Sequence, residues 1–70
     1  MSNNIKTSVS NAIALLSDGM DKAKKQELWN DAYGDQLDYL EYLVLEVKDE
    51  MEIEYYEVDR YGIVNIYYYV

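Results

Sequence analysis

From Met51 onward the chain runs through two β-rich stretches, Met51 to Val58 and Ile63 to Val70, separated by Asp59-Arg60-Tyr61-Gly62. Two short alternating runs around a glycine-containing turn read as an antiparallel hairpin. A hairpin alone is marginal in water, so one of its faces must be covered by other elements. The face that is covered depends on register, because a slip of one residue sends every side chain to the opposite side. A two- or four-residue loop pairs Val58 with Ile63. Met51, Ile53 and Tyr55 then share an apolar face with Val64, Ile66, Tyr68 and Val70, and Glu52, Glu54 and Tyr56 share the other with Asn65, Tyr67 and Tyr69. A three-residue loop mixes the two sets and is disfavoured on that ground.

Upstream, the apolar spacing is helical. Ile5, Val9, Ala12, Ile13 and Leu16 predict a first helix over roughly 4–17, capped by Asn3 or Asn4 and stopped by Ser17-Asp18-Gly19. A second helix, over roughly 22–33, starts at an Asp21 cap, carries Leu28, Trp29, Ala32 and Tyr33 on its apolar stripe, and ends at Gly34. Residues 35–50 fit both periods. Leu37, Leu40, Val44, Val47 and Met51 follow helical spacing with Asp35 as cap and Asp38 at the capping-box position, and their Leu and Glu content favours helix over strand. The expected fold is therefore α+β, in one domain over 1–70: three short helices followed by a C-terminal antiparallel β-hairpin. The alternative is two helices packed on a three-stranded antiparallel meander.

Seventy residues bury little surface, and with neither cysteine nor histidine in the chain no disulfide or thiolate–imidazole metal site can staple the fold. Packing, within one copy or between two, must hold it together. The absence of cysteine suits a reducing cytoplasm. No stretch reads as a signal peptide or a membrane span.

The same two absences remove the commonest general base and the commonest thiol nucleophile, so a catalytic role is not expected. The acids lack the spacing of a calcium loop, and no glycine-rich phosphate cradle appears, so neither metal nor cofactor is expected.

Charge is the strongest functional signal. Residues 1–34 balance four lysines against four acids, whereas residues 35–70 set ten acids against Lys48 and Arg60 and carry the whole net charge of −8. Such a surface repels nucleic acid and the anionic face of a membrane alike. Six of the nine tyrosines fall within 52–70 and the chain has no phenylalanine, a choice that keeps a polar tip in water wherever the ring is exposed. Carboxylates on alternate strand positions lie about 6.7 Å apart, near the spacing of successive phosphates on a nucleic-acid strand.

The expectation is an acidic inhibitor of the nucleic-acid-mimic type. Asp49, Glu50, Glu52, Glu54, Tyr56, Glu57, Asp59, Tyr67 and Tyr69 would occupy the basic groove of a nucleic-acid-handling protein or nuclease. No motif links the chain to a family. The likeness is of type only, to small acidic cysteine-free domains such as phage inhibitors of host defence nucleases and immunity proteins or antitoxins that neutralise basic toxins. The alternative is an accessory subunit that self-associates through the tyrosine-rich hairpin. A homodimer is expected on the further ground that a hairpin edge at the last strand would lie open.

Overall fold

The computed structural model describes residues 2–69. The elements run β1 (Ser2–Ser8), α1 (Val9–Ser17), α2 (Lys22–Asp31), α3 (Gln36–Val47), β2 (Ile53–Val58) and β3 (Ile63–Tyr69). Three helices and a C-terminal hairpin are present, as the pattern of residues predicts. A third strand joins the hairpin, and the sheet order β1-β3-β2 makes β3 central and antiparallel to both neighbours. It is not a meander.

The extra strand replaces the first turns of the helix expected over 4–17. Ile5, Thr7 and Val9 alternate with Asn4, Lys6 and Ser8, so the segment fits period 2 as well as it fits a helix, and two of its residues inside the strand are β-branched. Pairing decides between them. Ile5 lies opposite Ile66 and Thr7 opposite Val64, which satisfies the second edge of β3. The helix then starts at Ser8, whose hydroxyl accepts from the Asn11 amide at 3.2 Å, and not at Asn3 or Asn4.

The other caps are those expected. Asp21 accepts from the Lys24 amide at 2.8 Å, and Asp35 accepts from the amides of Leu37 and Asp38 at 2.9 and 3.1 Å. Helix α2 closes in a Schellman turn, with the Gly34 amide donating to the Trp29 carbonyl at 3.3 Å and Tyr33 in the left-handed region at φ 53°. That conformation turns Tyr33 away from the apolar stripe it was expected to join, leaving it 96% exposed. Residues 36–47 are helical; Tyr39, Leu40, Leu43, Val44 and Val47 are buried and Leu37 faces solvent. A second turn of the same kind follows. Ile53 donates to the Lys48 carbonyl at 2.9 Å and Glu52 sits at φ 54°, so Met51 and Glu52 belong to this turn and not to the strand.

The hairpin uses the three-residue loop that the alternation of its strands disfavours. Asp59 and Ile63 are joined by a backbone bond of 3.0 Å, and Arg60, Tyr61 and Gly62 form the loop between them. Asp59 dictates this: its carboxylate accepts from the amides of Tyr61 at 2.8 Å and Ile63 at 3.0 Å, and Gly62 takes φ 77°, where a side chain is strained. Val58 therefore faces Val64, Tyr56 faces Ile66 and Tyr55 faces Tyr67. A bulge between Ile53 and Tyr55 restores Ile53 to a position opposite Tyr68. The loop would mix the faces; the extra residue, Glu54, sorts them again. Tyr56 consequently points to the helices and Tyr55 to solvent, the reverse of the expected arrangement. Val70, assigned to the apolar face, lies outside the described residues.

The core sits on one side of the sheet. Leu16, Leu40, Leu43, Val64 and Ile66 are its largest fully enclosed side chains, and Trp29 meets Tyr39 edge-to-face at 5.1 Å between α2 and α3. Tyr56 and Val58 pack at its margin.

Candidate interaction surface

Helices cover only the inner face of the sheet. The outer face is set by the register: Asn4 and Lys6 on β1, Asn65, Tyr67 and Tyr69 on β3, Tyr55 and Glu57 on β2. Its centre is aromatic. The rings of Tyr55 and Tyr67 stack with centroids 4.5 Å apart and planes inclined by 15°. Tyr67 donates to Glu57 across the ladder at 3.3 Å, and Asn4 donates to Asn65 at 3.1 Å. Loss of water raises the Tyr67 phenol above its ordinary value of 10.0, and the Glu57 charge beside it pushes the same way. The hydroxyl therefore remains a donor at neutral pH. Tyr55 and Tyr69 are both about half exposed, at 50% and 52%.

The expected site residues divide into three groups. Tyr67, Tyr69 and Glu57 lie together on the outer face. Asp49, Glu50, Glu52 and Glu54 are exposed but occupy the turns after α3 and the bulge, so no strand presents Glu52 and Glu54 as successive outward carboxylates. The phosphate-like repeat of about 6.7 Å is thus absent. Asp59 is engaged in shaping the loop. Tyr56 stands on the other face, partly buried against α3. There desolvation raises its phenol above 10.0, with the carboxylates of Glu41 and Asp38 adding to the shift.

Asn4, Lys6 and Tyr55 were missed. The signal for Tyr55 was legible in Asp59-Arg60-Tyr61-Gly62: aspartate first and glycine fourth is the pattern of a type I turn leading into a left-handed residue, which makes a three-residue hairpin loop. Asn4 and Lys6 could be placed only once residues 2–8 were known to be a strand.

Among the described residues no group of three or more acids is arranged to hold a metal ion, and no helix is long and apolar enough to cross a membrane. Comparison with protein-family models, curated proteins and solved structures found no match.

Proposed function

We propose that this chain is a non-catalytic inhibitor that binds a basic, nucleic-acid-handling protein through the outer face of its sheet. The observation that carries the reading is the stacked Tyr55–Tyr67 pair on a face the helices leave open, in a molecule of net charge −8. Aromatic rings preassembled at the centre of a patch are the usual anchors of protein interfaces, since they bury area at low entropic cost. Such rings on a sheet can also stack on nucleic-acid bases. Among the described residues Lys6 is the one cation on this face and Glu57 opposes it, so the electrostatics favour a basic protein over a polyanion.

The role of the acids changes with the structure. Without a regular carboxylate repeat, mimicry rests on the total field of the second half: it steers a cationic groove to the molecule, and the tyrosines hold it there.

The test uses the protein immobilised as bait against a lysate, with duplex DNA as competitor and increasing salt as a second axis. A bound basic protein released by both is the expected result. Retention that is unaffected by DNA and salt overturns the decoy. Retention by a Tyr55→Ala/Tyr67→Ala protein that is still folded overturns the sheet face as the site.

A further inference from the structure

The two edges of the sheet are unlike. Strand β2 is bulged, carries Glu54 and Glu57, and runs beside α3, whose Asp38 and Glu41 charges reach Tyr56. Bulges and acids are devices that stop an edge from pairing. Strand β1 has neither, and Lys6 is the one charged side chain it carries against pairing. It pairs with β3 without interruption from Ser2 to Ser8, and residues 1–17, which include all of α1, contain no acid at all. The last strand, expected to be the open edge, is central and cannot pair further.

Register identifies which backbone groups of β1 are free. The Val9 amide donates to the Gly62 carbonyl, continuing the β1–β3 pairs by one step. In an antiparallel ladder alternate residues bond the same neighbour. The amides and carbonyls of Asn3, Ile5 and Thr7 therefore point at β3, and those of Asn4 and Lys6 point away from the sheet. The Asn4 amide is turned to its neighbour, the Asn3 side chain, at 3.1 Å. Beside this edge on the inner face lies an open apolar groove of about 270 Å³, lined by Ile5, Leu15, Met51, Ile53, Ile66 and Tyr68. Leu15 and Met51 are 39% and 36% exposed at its mouth.

We infer that β1 pairs with β1 of a second copy, antiparallel about a two-fold axis at Ile5, to give one continuous six-stranded sheet. Charge selects the occupant. Two chains of −8 repel everywhere except where they lack acids, and this edge with the adjoining helix is that place. Outward-pointing residues must meet outward-pointing residues, which leaves few registers. Centring on Lys6 sets two ammonium groups face to face. Centring on Asn4 shortens the overlap. Centring on Ile5 aligns the whole of β1 with its copy, sets each Lys6 opposite Asn4 of the other chain, and brings the two Ile5 side chains together where the grooves meet. The outer faces become one surface, with the two Tyr55–Tyr67 stacks on either side of the axis and the two β3 strands about 14 Å apart. The inference rests on the edge and not on the proposed inhibitory role.

Sedimentation and light scattering on the intact chain test it. The expected mass is twice 8.3 kDa at high micromolar concentration. Lys6→Pro removes an outward amide without touching the β1–β3 ladder, so it should return the mass to that of one chain with the circular dichroism unchanged. An independent arm uses the absence of cysteine from the chain. Across the axis the Ile5 Cα atoms would lie about 4.5 Å apart, within disulfide range, so Ile5→Cys should oxidise to a covalent dimer while Glu54→Cys on the other edge should not. This arm decides the matter if Lys6→Pro fails to fold. A wild-type monomer at high micromolar concentration overturns the inference. So does a dimer that survives in a folded Lys6→Pro protein, or cross-linking at position 54 in preference to position 5.

Discussion

The two faces of the sheet are built from the same strands to opposite ends. On the inner face Val64, Ile66 and Ile53 are 0%, 2% and 4% exposed; on the outer face Tyr55 and Tyr69 remain half in water. The centre of the inner face is branched aliphatic, with Tyr56 and Tyr68 flanking it. The outer face uses tyrosine, whose ring gives contact area and whose hydroxyl stays solvated or, at Tyr67, donates to Glu57. A phenylalanine ring on the outer face would leave no polar tip in water. The rings of the sheet divide between its faces, Tyr55, Tyr67 and Tyr69 outward and Tyr56 and Tyr68 inward. The aliphatic side chains carry most of the core, with Tyr39 and Trp29 added between the helices.

Truncating adjacent residues of β3 should separate the two faces most strongly. Ile66→Ala removes a buried side chain at the centre of the sheet and should cost about 2–4 kcal/mol, enough to unfold much of a domain this small. Tyr67→Ala, one position on, loses a stack and an exposed hydrogen bond and should cost under about 1 kcal/mol. Denaturant unfolding of the two variants measures both. Equal costs would mean that the outer face is covered.

Much of the fold was legible because several signals agreed. At Asp21 and Asp35 a capping side chain precedes a helical stretch, and both caps form. Val64 and Ile66 lie on the core side under either hairpin register, because the helices must cover β-branched residues. The failures share one cause, which is that period and propensity are local. Residues 2–8 satisfy two periods, and only β3, more than fifty residues away, makes strand the better choice. The faces of β2 were misassigned because alternation was assumed to run unbroken through Glu54. A bulge leaves no mark in a pattern of apolar and polar residues, and its effect is felt only through the partner strand. The outer surface inherited that error, which placed Tyr56 where Tyr55 stands.

A smaller effect tests what holds the two faces in place. The Asp59 carboxylate binds two loop amides, and these bonds keep Tyr55 opposite Tyr67. Asp59→Ala should cost about 1–2 kcal/mol, the lower part of the range for hydrogen bonds to a charged group because the site is exposed. Asp59→Asn keeps an acceptor oxygen and should recover most of the loss. Thermal unfolding of the pair reads the difference. If alanine and asparagine behave alike, the loop is held by Gly62 alone.

The mildest change lies in the titration of Tyr56. Tyr56 is partly buried, and both its burial and the carboxylates of Glu41 and Asp38 disfavour the phenolate, so its pKa in the folded chain lies above the 10.0 of the free side chain. In the unfolded chain it ionises near that ordinary value. Above pH 10 the unfolded state has therefore lost a proton that the folded state retains, and stability falls as pH rises through the folded pKa. The contribution is complete below about pH 10, so this phenol adds no slope on the acid side. Position 56 cannot ionise in Tyr56→Phe, so the stability of that variant should decline less steeply as pH rises above 10. Tyr67, whose phenol is raised as well, keeps part of the slope in that variant, and a Tyr56→Phe/Tyr67→Phe chain should flatten it further. A Tyr56→Phe curve that tracks wild type through this range would place the Tyr56 hydroxyl in solvent. The hairpin would then be in the register that its alternation alone suggests.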